Sequence, residues 1–436
     1  MLHAFGYSKN DPSYNVQQVG REARAPMSGR SNVSKIQASS SRIGIYVLCF
    51  FDYGVHNFAT IMYAAVLGLS LLCLWQAAWP LLKSFIPIWI ATYAYIILSY
   101  FHVLPSAWTI FYEPEVILRQ AAWVVTLPLL ANLGYCYVRG VLWGRSLREF
   151  MIVTTLLLGN FLLSGIVFAD WSYSEWAYGP FGYLWAPLSI YLTVAAWGVI
   201  IERQRAIVAL FLIQTIVVIF WAEGSQTKLA YICFAFVFIM HRSGKLAARF
   251  ALLGVIAFLV VGYAWAWIGP MDLSLRDPSA AVRGLMIKNA WQAAQETGFI
   301  GVGFGTESIK NVYPELGIWS FQTIDDAFIL IGTHNAFFDI LMRMGVLGLA
   351  CFVFVFLDLA FPRGGTDEIL TFRTLIFATS VLNLSVNVGL QSPFHLAGIA
   401  VMLGASFAAA AILPPSTLDG SHNSKRRSES HNSYGE

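Results

Sequence analysis

Long runs of hydrophobic residues, separated by short polar segments, make up most of the chain between positions 43 and 413. A helix needs about 20 apolar residues to cross the hydrocarbon core of a bilayer. The runs predict membrane spans at 43–57, 58–79, 85–104, 119–138, 149–169, 182–201, 206–222, 228–241, 250–268, 334–361, 369–389 and 394–413. Strands with open edges do not occur in lipid, and the runs are too long for the strands of a membrane barrel. The pattern therefore predicts an all-α polytopic membrane protein with about twelve transmembrane helices.

The composition indicates that the bilayer, rather than water, is the main solvent. Hydrophobic residues make up 57% of the chain and charged residues 12%, whereas soluble domains contain about 25% charged residues. This excludes an ordinary soluble enzyme and a disordered protein. A net charge of +3, with no basic stripe interleaved with aromatic residues, argues against a nucleic-acid partner. The polar segments 1–42 and 414–436 are expected to be disordered tails on either side of one membrane domain, 43–413.

The distribution of Lys and Arg orients the spans. With twelve spans and a cytoplasmic N-terminus, most of the 27 basic residues fall on the cytoplasmic side. The predicted outer loops 105–118 and 170–181 contain Asp and Glu but no Lys or Arg. Joining 43–79 into one span would move the later basic loops to the outside. The positive-inside rule therefore favours two spans in 43–79 and a cytoplasmic location for both tails.

One outer connection, residues 269–333, is much longer than the others and carries four basic residues, Arg276, Arg283, Lys288 and Lys310. Long loops without a function are uncommon, although a solvated loop whose charges have no role remains an alternative. Asp277 followed by Pro278 is a typical helix start, and the pattern over 279–297 predicts an amphipathic helix at the membrane surface that Gly298 ends. Because a guanidinium binds phosphate through two hydrogen bonds, Arg283 on this helix points to a lipid-phosphate ligand.

The end of the long loop combines glycines with ionisable residues. The glycines of 301–305 predict a tight bend where the backbone approaches a neighbour closely. His334, at the mouth of the next span, is either a buried hydrogen-bonding residue or a base poised near neutral pH. Asp339 and Arg343 are four residues apart and can pair on one helix face, as a functional or a structural ion pair. His395, inside the last predicted span, is expected to matter for stability rather than turnover.

A further basic residue, Lys228, lies in the short outer turn between the seventh and eighth predicted spans. It is either a lysine that extends from a helix end to the interface or an additional cation for the same anionic ligand.

Three motifs, in this order, resemble those of the bacterial O-antigen ligase and polysaccharide polymerase superfamily of membrane glycosyltransferases. They are GSQTKLA at 224–230, the segment from Arg276 to the GVGFG of 301–305, and THNAFFDILMRMGVLGL at 333–349. Arg276 followed by Asp is similar to the exopolysaccharide-polymerase branch. The chain departs from the family pattern around the loop arginine, where Ile287 replaces a common Trp and Val282 a common Gly.

The resemblance implies transfer of a glycan from an undecaprenyl-pyrophosphate carrier to an acceptor sugar hydroxyl, on the periplasmic face of the bacterial inner membrane. It implies an enzyme without cofactor or metal. The residues that it assigns to the site are catalytic Arg276, Arg283 and His334 and substrate-binding Lys228, Asn335 and Asp339. The cations would stabilise the charge of the leaving pyrophosphate. His334 would deprotonate the acceptor, a role for which the ordinary histidine pKa of about 6.5 is suitable.

Other functions remain open at this point. A polymerase adds the glycan to another repeat unit, whereas a ligase adds it to a lipid A core sugar, and Arg276-Asp277 favours the polymerase. Polysaccharide export or chain-length proteins are then expected partners. A transporter or flippase of lipid-linked sugars would also place cations in the membrane, but the basic residues cluster on one side and no internal repeat is evident. A scaffold in a polysaccharide export complex is the third alternative.

Overall fold

Helices account for nearly all of the protein that the structure describes. The computed structural model describes residues 33–50, 56–77, 79–104, 114–162, 186–222, 224–268, 278–306, 333–361, 366–386, 390 and 393–412, and this part contains no β-strand. The helices are α1 (Lys35–Phe50), α2 (His56–Ala77), α3 (Trp79–Ser84), α4 (Ile86–Tyr100), α5 (Pro114–Ala121), α6 (Trp123–Tyr137), α7 (Ser146–Leu162), α8 (Ala186–Ala196), α9 (Arg205–Trp221), α10 (Ser225–Ile239), α11 (Gly244–Ile268), α12 (Pro278–Glu296), α13 (Ala336–Ala360), α14 (Asp367–Val386) and α15 (Pro393–Ile412). Single π-helical turns, Val138–Leu142 and Trp197–Ile201, continue α6 and α8.

Each predicted span corresponds to a helix, although the bounds differ by several residues. Within the described residues, four helical segments are long and apolar enough to cross a membrane: Pro114–Leu142, Gly244–Ala264, Ala336–Ala360 and Asp367–Val386. Further apolar helices are shorter than the usual crossing length. The protein is therefore an all-α protein with apolar membrane helices, while the count of twelve spans and the side of the long loop stay predictions.

The first helix begins at Lys35, inside the segment predicted to be a polar tail. Ser34 and Gln37 form a capping box: the Ser34 hydroxyl accepts from the Gln37 N–H at 3.2 Å, and the Gln37 side-chain oxygen accepts from the Ser34 N–H at 2.9 Å. The Gln37 amide also donates to the carbonyl of Cys73 near the end of α2, at 3.1 Å. The start of α1 thus lies beside the end of α2, and residues 43–79 form two antiparallel helices rather than one.

Two exposed ion pairs join the segments between helices that the sequence assigns to the cytoplasmic side. Arg203 pairs with Glu368 at 3.0 Å, and Lys245 pairs with Asp367 at 2.7 Å. Exposed pairs of this kind contribute little to stability. They do indicate that connections assigned to one side of the membrane meet at one end of the bundle.

Helices α6 and α15 touch through their backbones. A Cβ atom on Gly134 would lie 2.4 Å from the carbonyl oxygen of Val401, and one on Gly404 would lie 1.8 Å from that of Ala131. Small residues allow membrane helices to approach this closely, and dispersion contacts then hold them together. The position of α15 against α6 is therefore fixed by glycines on both helices.

The helix predicted over 279–297 is confirmed as α12, which packs against a neighbouring helix. Ala290 and Ala293 are fully buried and pack with Met342 and Val302, with Phe338 against the cluster. The apolar face of α12 therefore packs on α13, a contact that the sequence did not predict, while the location of this helix at the membrane surface stays a prediction. Small residues on α12 permit this close packing against a neighbouring helix.

Helix α13 is interrupted at Gly345, whose φ of 61° and ψ of −164° are not helical. The break leaves the N–H of Val346 free to donate to the carbonyl of Phe299 at 3.0 Å. A Cβ atom on Gly345 would lie 2.2 Å from that same carbonyl oxygen. Only glycine fits here, because both the φ angle and the contact exclude a side chain.

The glycine-rich segment 301–305 lies beside this break and is hydrogen-bonded to α13 through its backbone. The N–H of Val302 donates to the carbonyl of Met342 at 2.8 Å, and that of Gly303 donates to the carbonyl of Arg343 at 2.9 Å. Gly301 has a φ of 104°, and a Cβ atom on it would lie 2.6 Å from the Arg343 oxygen. The prediction of a bend where the backbone approaches a neighbour closely is confirmed.

The predicted pair of Asp339 and Arg343 is confirmed and is almost completely buried. The Arg343 Nε lies 3.1 Å from Oδ1 of Asp339. Its Nη1 donates to the side-chain oxygen of Gln120 at 2.7 Å and to the carbonyl of Thr306 at 3.2 Å. Gln120 also accepts from the N–H of Gly305 at 2.6 Å. The ion pair therefore anchors the glycine-rich segment between α5 and α13.

We expect Gly345→Ala to destabilise the protein by at least about 3 kcal/mol, because it adds both backbone strain and a steric overlap with the Phe299 carbonyl. Gly298→Ala is the matched control: Gly298 also has a positive φ, 59°, but a Cβ atom there meets nothing within 4 Å. Its cost should be about 1 kcal/mol. Thermal unfolding of the detergent-solubilised protein measures both losses of stability, and equal losses would contradict the requirement for glycine at the contact between Gly345 and Phe299.

Candidate functional site

Asn335 joins three helices at the start of α13. Its side-chain oxygen accepts from the N–H groups of Phe337 and Phe338 at 3.0 and 3.1 Å, so Asn335 is the N-cap of α13. Its amide nitrogen donates to the carbonyl of Ser385 at 3.0 Å and to the hydroxyl of Tyr263. The Tyr263 hydroxyl in turn donates to the same Ser385 carbonyl. One asparagine therefore fixes the ends of α11 and α14 to the start of α13.

His334, the residue before this cap, lies close to Arg283 of α12. The His334 side chain is partly buried and interacts electrostatically with the Arg283 guanidinium. Burial, and after it the positive charge of Arg283, lowers the pKa of His334 to about 4. Arg283 also interacts electrostatically with Tyr263. The imidazole is therefore neutral at ordinary pH, beside a permanent cation.

A second histidine belongs to the same group. His395, in the first turn of α15, is only 5% exposed and interacts electrostatically with His334. The sequence predicts a structural residue inside the last span. In the structure α15 packs against α13, so that His395, in the first turn of α15, lies within electrostatic range of His334.

The remaining predicted site residues have different surroundings. Arg276 lies outside the described residues. Lys228 is partly exposed in the first turn of α10. Asp339 is 3% exposed and faces Arg343 and the N–H of Thr333, at 3.1 and 3.5 Å.

Sequence reasoning missed several residues that shape the site: Gln120, Tyr263, Ser385 and His395. A polar residue in an apolar run was the available signal for Gln120 and Tyr263, since buried polar groups in membranes require partners. Ser385 contributes only its carbonyl, which any residue could provide. No pattern along the chain could pair it with Asn335.

The arrangement combines the guanidinium of Arg283 with the uncharged imidazole of His334, just before the start of the apolar helix α13. Arg283 offers a planar set of N–H donors that matches phosphate oxygens. The neutral ring of His334 can accept a proton, because its pKa lies well below ordinary pH. Within the described residues, no group of three or more His, Cys, Asp or Glu side chains is placed to hold a metal ion. The site is therefore suited to an anionic ligand and to proton transfer.

The chain matches no model of a known protein family, and no characterised protein matches it significantly.

Proposed function

We propose that this protein is a membrane glycosyltransferase that moves a glycan from an undecaprenyl-pyrophosphate carrier to an acceptor sugar hydroxyl. The observation that carries the proposal is the proximity of Arg283 and His334. They come from separate segments of the chain, and Arg283 on α12 acts electrostatically on His334, the residue before the N-cap of α13. Transfer from a sugar pyrophosphate needs a positive charge beside the leaving group and a base beside the acceptor. These two residues supply both.

In the proposed reaction the acceptor oxygen attacks the anomeric carbon, and the bond from that carbon to the pyrophosphate oxygen breaks. The acceptor proton passes to His334. Arg283 binds the developing charge of the pyrophosphate, and one preorganised contact of this kind can contribute about 3–4 kcal/mol to the transition state. Because His334 is neutral, it is ready to accept the proton as the acceptor oxygen becomes acidic during bond formation.

The neighbouring residues hold the segments that carry Arg283 and His334 in place. Asn335 holds the backbone of His334 at the junction of α11, α13 and α14. Asp339 acts through its buried ion pair with Arg343, which fixes the glycine-rich segment. We propose Arg276 and Lys228 as further cations for the pyrophosphate.

We favour polymerisation of repeat units over ligation to a lipid A core, because Arg276-Asp277 resembles the polymerase branch. The two reactions share the donor and differ in the acceptor. The proposed location is the bacterial inner membrane, with both tails in the cytoplasm and the site facing the periplasm. Polysaccharide export and chain-length proteins are the proposed partners.

The proposed orientation predicts the location of three reporter fusions. Fusion after residue 300 should give a periplasmic signal, while fusions after residues 145 and 245 should give cytoplasmic signals, because basic loops stay inside. Paired alkaline phosphatase and fluorescent-protein reporters measure this. A cytoplasmic signal at 300 would place Arg283 and His334 on the wrong face for the reaction.

Arg283→Ala should abolish polymer formation in cells while the protein level and membrane insertion stay normal. Arg283→Lys should recover little activity, because an ammonium does not reproduce the planar, two-point contact with phosphate. Lys288→Ala is the matched control, since it removes one positive charge from an exposed position on the same helix. Near-normal product from Arg283→Ala, measured by gel analysis of the glycan, would mean that the loop arginine is only a solvated charge.

His334→Gln should fold, insert and bind the lipid-linked donor normally, yet lose about 10²–10⁴ in rate, because an amide cannot act as the base. The measurement is extension of purified undecaprenyl-linked glycan. His102→Asn is the control: His102 is exposed, and asparagine tolerates its φ of 55°.

The pH dependence of the wild-type rate tests the same residue. Protonation removes the base, so activity should fall only as the pH approaches about 4, the pKa of His334. A histidine with the ordinary pKa would instead lose about tenfold by pH 5.5 or so. A wild-type rate from His334→Gln at any pH would remove the base from the mechanism.

A further inference from the structure

Two hydrogen-bond donors on α12 are shielded from solvent. They are the Nδ2 of Asn289 and the Nε of Arg283, and neither has a hydrogen-bond partner in the part of the chain that the structure describes. Asn289 as a whole is only 4% exposed. Leaving a buried donor unpaired is costly, so nearly all buried donors in proteins have an acceptor. These two donors on one helix therefore point to a ligand that accepts from both.

Asn289 lies beside the start of α13, which follows the candidate site along the chain. Its neighbour Ala290 is completely buried in a cluster with Met342, and Phe338 packs against the same cluster. Phe338 and Met342 belong to the first two turns of α13, shortly after His334. The packing of α12 on α13 therefore places Asn289 next to the segment that carries His334.

The positions of Asn289 and Arg283 on α12 indicate the size of the ligand. Asn289 follows Arg283 by six residues within one helix, which corresponds to about 9 Å along the helix axis. Donors this far apart suit two linked phosphates better than one, because each phosphate then accepts from its own donor. The guanidinium supplies a positive charge for the diphosphate, while the amide donates without adding a second charge to the interior.

The surroundings of the two donors differ as the two ends of a lipid-linked diphosphate do. The side chains near Asn289 on α12 include those of Met286, Ile287 and Ala290, which are buried and apolar. Arg283 is partly exposed and lies closer to the start of the helix. The apolar position suits the phosphate attached to the lipid, and the partly exposed position suits the phosphate attached to the sugar.

We propose that Asn289 binds the lipid-side phosphate of the undecaprenyl-pyrophosphate carrier, while Arg283 binds the sugar-side phosphate. This inference rests on the proposed function and adds a substrate-binding residue to its site. The Nδ2 of Asn289 donates to an oxygen of the lipid-side phosphate, which takes no part in bond breaking. Asn289 therefore contributes to the affinity for the carrier, whereas Arg283 also acts on the leaving group.

The experiment compares two lipids that differ by the sugar-side phosphate. Native mass spectrometry of the detergent-solubilised protein measures the Kd of undecaprenyl pyrophosphate and that of undecaprenyl phosphate, which has the lipid-side phosphate alone. Asn289→Ala should weaken the binding of both lipids by about 10–100-fold, the range for a hydrogen bond to a charged group. Arg283→Ala should weaken the binding of undecaprenyl pyrophosphate and leave that of undecaprenyl phosphate close to the wild type.

Two further variants control for charge and for folding. Asn289→Asp keeps the shape of the side chain but replaces its donor by a carboxylate, so it should bind both lipids at least as weakly as Asn289→Ala. Gln292→Ala removes an exposed amide of the same helix, which donates to Glu296 at 2.9 Å, and should bind both lipids normally. Without lipid, Asn289→Ala should unfold at the wild-type temperature or above it, because its Nδ2 makes no hydrogen bond within the described residues.

Wild-type affinity for both lipids in Asn289→Ala or in Asn289→Asp overturns the inference and leaves the proposed function standing. A lower unfolding temperature of lipid-free Asn289→Ala also overturns it, because the amide would then support the fold. Weaker binding of undecaprenyl phosphate by Arg283→Ala does the same, because both phosphates would then depend on one donor. If the lipids bind as expected but the wild type transfers no glycan from an undecaprenyl-pyrophosphate donor, the proposed reaction fails while the assignment of the two phosphates stands.

Discussion

The buried charge of Arg343 is the constraint on which the arrangement of this end of the protein depends. A guanidinium that is 1% exposed must have partners, and Asp339, Gln120 and Thr306 supply them. Removing one partner of such a pair typically costs about 3–5 kcal/mol, because the other charge stays buried. The requirement to satisfy one side chain therefore fixes α5, the glycine-rich segment and α13 together, and the start of α13 carries the candidate site.

Much of the fold could be predicted from residues that act locally. The apolar runs predicted the helices, the spacing of Asp339 and Arg343 predicted their pair, and the glycines predicted a close backbone approach. The capping box of Ser34 and Gln37 was present in the sequence as well, and it would have moved the start of the first helix upstream. These features are readable because their partners lie within a few positions of one another.

The rest of the site depends on contacts between distant segments. His395 and Ser385 become neighbours of His334 and Asn335 only when α14 and α15 pack beside α13. The sequence also did not reveal that α12 packs on α13, because an amphipathic pattern does not distinguish lipid from an adjacent helix. Met342, which covers the apolar face of α12, belongs to α13, so the hydrophobic pattern of 279–297 alone could not predict this contact.

Within the proposed function, the effect of the Arg283 charge on His334 favours ordered binding. The guanidinium of Arg283 is the second cause, after burial, that lowers the pKa of His334. An anionic pyrophosphate bound to Arg283 would neutralise that cause, and His334 would become a stronger base. Within the proposed function, the base would then gain strength when the donor is in place, so that proton transfer follows donor binding.

The break at Gly345 has a consequence for how this region opens. The turns of α13 before the break are hydrogen-bonded to Val302 and Gly303, and the first residue after it is bonded to Phe299. The site-bearing turns and the glycine-rich segment cannot separate without breaking all of these bonds together. They therefore form a single cooperative unit of unfolding. Their amide protons should exchange with solvent through one shared opening event, independent of local fraying elsewhere in the bundle.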